Sequence, residues 1–204
     1  MEVRSEMKIT RVVAMAAMAG ASLWARQSVA APQATVTVCI ESDPHVLMGV
    51  RPLASEMFAN IGVRIDWRKP DSCPVGVGAI QVSLSFHQPG NRKFEILAFA
   101  EPYAGTIVLF PDRVNELNRN GGPSLLAHVL VHEITHMLQG IDRHSAAGIM
   151  KARWYRNDYF EMVRKPLPFA QEDIALIYEG LKKRRAGLPI AAKVAVNAGA
   201  VAGQ

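Results

Sequence analysis

Ser124-Leu125-Leu126-Ala127-His128-Val129-Leu130-Val131-His132-Glu133-Ile134-Thr135-His136-Met137-Leu138-Gln139-Gly140 is the stretch on which the reading of this chain turns. Leu125 to about Gln139 carries a helical pattern; Ser124 or a neighbouring loop residue can cap its first turn, and Gly140 can end it in a left-handed conformation. His132 and His136 point from the same face on consecutive turns, so their imidazoles can converge on one ion. Glu133 lies about 100° round the helix from His132, where its carboxylate can reach the water that such an ion activates instead of the ion itself. Val129, Leu130, Val131, Ile134, Met137 and Leu138 surround these three polar residues and place them in a largely buried helix. Unpaired buried His and Glu are costly, whereas a metal satisfies them together.

A third protein ligand leaves one open or water-filled position on tetrahedral zinc. Gly140 lets the chain turn, after which His144 can return towards the first two histidines. Asp142 is the nearest rival, and Glu161 and Glu172 are alternatives of the kind a following helix supplies. His128 shares the helical face of His132, but three successive histidine turns spread their donors too far for one ion, so it is read as a residue at the rim or behind the ligands. Tyr155 and Tyr159 are candidate donors to a developing oxyanion, against a plain half-buried role. Arg143 and Arg153 are candidates for a substrate carboxylate, against simple surface placement.

His132-Glu133-x-x-His136-x-x-x-Gly140-x-x-x-His144-Ser145, followed by Gly148-Ile149-Met150, resembles the metzincin zinc peptidases, particularly their matrixin-like branch. Those enzymes carry HExxHxxGxxH, often a serine after the third histidine, and a downstream methionine in a tight turn beneath the metal. The resemblance implies His132, His136 and His144 as ligands, Glu133 as general base and Met150 as the floor of the site. Ser145, Gly148, Ile149, Met150 and Trp154 are also similar to the HSxxG[LI]MxxxW pattern of a group of small bacterial zincin-like proteins. The loop to the third histidine is longer by one residue on each side of Gly140, and the methionine follows that histidine unusually soon. Met150 is equally readable as a core residue, since methionine fills irregular space well.

Around this centre, Ala34 to Ile40 alternates as a strand, Val50 to Ala59 has helical spacing closed by Gly62, and Val63 to Trp67 is a second short strand. Ala79 to Phe86 alternates again, and the turn Gln88-Pro89-Gly90-Asn91 leads into the apolar Phe94 to Ala100. Thr106 to Phe110 is a short apolar strand, assigned either to the core or to the cleft edge along which extended peptide pairs in zincins. Pro168 to Arg185 reads as a last helix, ended near Gly187-Leu188-Pro189. The fold class is therefore α/β (α+β), a zincin-like domain in which a small mixed twisted sheet packs against an early helix and the active-site helix, with a C-terminal helix.

Lys8 and Arg11 precede the apolar run Val12 to Ala25, and Ser28-Val29-Ala30 offers the small residues a signal peptidase reads. The expected organisation is a signal peptide over 1–30, a metallopeptidase domain over 31–189 and a flexible tail over 190–204, with a secreted or periplasmic location. The apolar run is too short for a convincing membrane span, so no stable membrane insertion is expected after its removal. Of the formal charge of +5, Arg4, Lys8, Arg11 and Arg26 leave with the signal against Glu2 and Glu6. The remainder is too slight to indicate nucleic acid, and Lys182-Lys183-Arg184-Arg185 is the solvated end of a helix. Cys39 and Cys73 can form one disulfide in an oxidising compartment.

The function expected from these residues is zinc-dependent hydrolysis of a protein or peptide substrate, with Zn2+ as cofactor and Glu133 as general base. A zinc-dependent amidase acting on cell-wall peptide uses the same attacking water. A zinc-stabilised binding protein with little turnover is the reading from another class. Oligomeric state is left open.

Overall fold

A computed structural model describes residues 34–41, 43–74, 78–86, 96–102, 104–117 and 122–187. The signal peptide expected over 1–30, the turn at Gln88 to Asn91 and the tail expected over 190–204 lie outside the described residues. Five strands, β1 (Ala34–Ile40), β2 (Val63–Arg68), β3 (Ile80–Leu84), β4 (Ala98–Glu101) and β5 (Thr106–Leu109), form one mixed sheet in the order β2-β1-β3-β5-β4. The first four in that order run parallel, and β4 closes the sheet antiparallel to β5.

Register turns the alternation in the sequence into two unlike faces, because partners across a ladder point the same way. Val38 pairs with Ile80, Ile40 with Val82, Val82 with Ile107 and Leu84 with Leu109, so these side chains share one apolar face. Thr37, Gln81, Ser83 and Thr106 occupy the other. The sheet therefore buries one face, and the apolar character of Thr106 to Phe110 does not require helices on both sides.

The helices are α1 (Pro44–Leu47), α2 (Val50–Ala59), α3 (Pro111–Leu117), α4 (Ser124–Gln139), α5 (Arg156–Arg164) and α6 (Gln171–Arg185). α2 buries Val50, Ala54, Met57 and Phe58, the residues that its helical spacing gathers on one side. α4 packs against α2, α5, α6 and β4. All of its residues are buried, as expected of a helix apolar nearly all round. Its start differs from the expected cap: Pro123 precedes the helix, and Ser124 lies inside it, donating its hydroxyl to the Met162 carbonyl at 2.5 Å. Its end is as expected, with Gly140 at φ 68° and its N–H returned to the His136 carbonyl.

Thr106 to Phe110 is not the sheet edge. β5 is flanked by β3 and β4, and among the described residues the edge strand on this side of the sheet is β4. No described helix is long and apolar enough to cross a membrane. Cys39 and Cys73 form the expected disulfide, with an S–S distance of 2.00 Å, tying the end of β1 to the loop after β2.

Candidate metal centre

α4 presents His132 and His136 one turn apart, and the loop after Gly140 brings His144 back to them. Their ring centroids are 4.7 Å apart for His132 and His136, 5.3 Å for His132 and His144, and 5.0 Å for His136 and His144. Each offers one nitrogen to a cluster whose members lie within 4.8 Å of one another, a set able to hold a metal ion. Asp142, Glu161 and Glu172 are not in that cluster. Glu172 is instead paired with Arg143 at 2.5 Å.

Proton placement makes the donor set legible. His132 Nδ1 lies 2.9 Å from the Ile149 carbonyl, and His136 Nδ1 lies 3.3 Å from that of Ile141. A carbonyl only accepts, so both Nδ1 atoms carry hydrogen. Burial lowers the pKa of both rings, that of His136 to about 4, with the neighbouring histidines lowering them further. Both rings are therefore neutral, and each Nε2 presents a lone pair. Those two Nε2 atoms face each other at 3.0 Å with no proton between them. This is repulsive unless a cation sits between, and two nitrogens on a tetrahedral zinc stand about 3.3 Å apart. The residues present fit the ion.

Glu133 follows His132 and is 4% exposed. Burial, with the charge of Asp142 adding to it, raises its carboxyl to about 8, while the Ala100 N–H of β4 donates to the carboxylate and opposes the rise. The edge strand thus runs beside the helix that carries the buried acid. Asp142 is exposed and acts on Glu133, His136 and His144 only through its charge.

The turn after His144 is held by hydrogen bonds of its own and gives His132 its carbonyl partner at Ile149. Ser145 N–H donates to the Met150 carbonyl at 2.7 Å, and Ile149 N–H to that of Pro168 at 3.0 Å. Gly148 has φ 75°, and a Cβ there would stand 2.1 Å from the Pro168 oxygen, so no side chain fits. Met150 and Ile149 are both fully buried. Trp154 lies edge-on to His132 at 5.5 Å and donates its Nε1–H to the Gly148 carbonyl at 3.3 Å.

His128 stands behind the cluster with both nitrogens committed: Nδ1–H donates to the Ser124 carbonyl at 2.7 Å, and Nε2 accepts from Leu167 N–H at 3.0 Å. Arg143, read as a possible anchor for a substrate carboxylate, is held by Glu172 and Asp173. Arg153 and Tyr155 are exposed. Tyr159 is half-buried against the core, and burial raises its pKa. Sequence reasoning missed the Ala100 amide, the carbonyls of Ile141 and Ile149, and Asp173. Backbone groups carry no sequence signature, and Asp173 has none of the spacing that betrays a ligand.

No protein-family model matches the sequence, and neither does any curated protein. Solved structures that are similar to it in part include the following two. A zinc-dependent peptidase from Methanocorpusculum labreanum (strain Z) is 17% identical, with a TM-score of 0.47 over 70% of this chain and 99% of that one. Archaemetzincin from Methanopyrus kandleri is 15% identical, with a TM-score of 0.47 over 78% of this chain and 99% of that one.

Proposed function

We propose that this protein is a zinc-dependent peptidase in which His132, His136 and His144 hold the ion and Glu133 is the general base. The observation that carries the reading is the pair of opposed Nε2 lone pairs, joined by His144 and set beside a buried carboxyl. Zinc, when bound, supplies the Lewis acidity that polarises water and a scissile carbonyl, and its charge opposes the desolvation that raises Glu133.

The chain's own residues then divide the work. The Ile149 and Ile141 carbonyls fix the tautomers of His132 and His136 and aim both Nε2 atoms inward. Glu133 takes the proton from the attacking water and returns it to the departing amine nitrogen. The open side of β4 offers backbone hydrogen bonds to an extended peptide, with Ala100 placing that edge against Glu133. An extended peptide is therefore the substrate class that the edge suits. Export to an oxidising compartment agrees with the Cys39–Cys73 disulfide.

Metal content and a broad peptide-cleavage profile of the wild type and Glu133→Gln test this reading. Both proteins are expected to bind about one equivalent of zinc, and the variant is expected to lose about a hundredfold or more of cleavage. Equal cleavage by the two excludes Glu133 as base. Zinc binding with cleavage of cell-wall peptide amides alone would move the assignment to an amidase.

A further inference from the structure

His132 and His136 are placed by a buried helix and by their own carbonyl partners, but His144 has neither. It lies in a loop, and among the described residues no hydrogen bond holds its ring. Its two chain neighbours, however, converge on one atom. Asp173 Oδ1 accepts from the Ser145 hydroxyl at 2.7 Å and from Arg143 Nη1 at 3.0 Å. Gln139, at the end of α4, approaches the same oxygen at 3.5 Å. Arg143 is held from its other nitrogen by Glu172, the residue before Asp173 in the first turn of α6.

Asp173 is fully buried, the most enclosed carboxylate among the described residues, and the reaction proposed above makes no use of it. A charge so placed costs several kcal/mol unless its partners are well arranged. Here the partners all come from residues 139–145, the segment that carries His144. That segment is two residues longer than the HExxHxxGxxH pattern, and added loop length adds entropy to be removed. The charge of Asp173 is also felt at the His136 and His144 rings, which places the network within electrostatic reach of the donors.

We infer that Asp173 is a positioning residue for the third ligand: by holding Arg143 and Ser145 on one buried oxygen, it orders the lengthened loop and sets His144 where its nitrogen meets those of His132 and His136. This rests on the zinc reading above.

The test is zinc affinity of the full-length protein, measured by competition with a chelating dye. Asp173→Ala, Asp173→Asn and Ser145→Ala are compared with the wild type, and each is repeated in a His144→Ala background. Unfolding of the metal-free forms is followed in parallel. Asp173→Ala is expected to weaken zinc binding by about ten- to a hundredfold. Asp173→Asn, which keeps an oxygen in place, is expected to recover part of the loss, and neither change is expected to matter once His144 is gone. An affinity indistinguishable from wild type overturns the inference, as does an equal loss in the His144→Ala background, which marks a general loss of packing. Should Asp173→Ala fail to fold, Ser145→Ala carries the same pair of outcomes. A wild type that takes up no zinc removes the metal reading and this inference together, whereas normal zinc uptake with an unaffected Asp173→Ala removes this inference alone.

Discussion

His128 shows how one buried ring can stiffen the ground behind a site without joining it. Its Nδ1–H and Nε2 satisfy the Ser124 carbonyl and the Leu167 amide, so only the neutral Nδ1–H form suits both partners. Desolvation lowers its pKa from 6.5 to about 4, against the opposing pull of the Ser124 carbonyl. Between those values the unfolded chain binds a proton that the folded chain refuses. The contribution to stability is therefore complete above about pH 6.5 and is lost as the pH falls towards about 4. The full difference is on the order of 3 kcal/mol. Urea unfolding of the chelator-treated protein across this range is expected to show a steeper fall in stability with acid for the wild type than for His128→Asn. Parallel curves for the two proteins would exclude the assignment. Above that window the variant is expected to be the less stable, because an amide does not span both backbone partners as the ring does.

At the scale of elements, α4 is useful because its neighbours enclose it. α6 approaches it closely: a Cβ on Gly180 would stand 1.7 Å from the Leu138 carbonyl oxygen. Arg184, one turn further along α6, donates to the Met137 carbonyl at 2.7 Å, satisfying an acceptor left over at the end of α4. Tyr178 ties the same helix to the Ile61 carbonyl at 2.6 Å, just before β2. Gly180→Ala must push the helices apart or tilt α6, with an expected loss of about 1–3 kcal/mol, read as a lowered denaturation midpoint. An unchanged midpoint would show that the crossing is looser than described. Because Asp173 stands on the same helix, the variant is also expected to weaken zinc binding.

For the molecule as a whole, the disulfide between Cys39 and Cys73 closes a loop over a sequence separation of 34. The loop contains α1, α2 and β2. Cross-linking over that length is worth about 4 kcal/mol in the chain-entropy account. Cys39 stands on the polar face of the sheet, opposite α4. Reduction is therefore expected to lower the unfolding temperature while leaving zinc affinity of the folded protein unchanged. Loss of zinc on reduction at temperatures where the fold persists would contradict this separation of the two.

Periodicity and spacing along the chain determined the helix that carries His132, Glu133 and His136, its end at Gly140, the strands from Ala34 and from Ala79, and the last helix. These are local matters, set within a few residues by side-chain direction and turn chemistry. The helices Pro111–Leu117 and Arg156–Arg164 were not read from sequence; the second has a single fully buried residue, Met162, and so little apolar stripe to reveal it. Tertiary structure alone decided that the edge is Ala98–Glu101 instead of Thr106 to Phe110, since pairing order depends on which distant strand arrives alongside. It also decided that Arg143 serves Asp173 and Glu172 instead of a substrate, and that two backbone carbonyls set the histidine tautomers. Such partners meet only when residues far apart in the chain are packed together, and a carbonyl looks the same at every position until the fold gives it a neighbour.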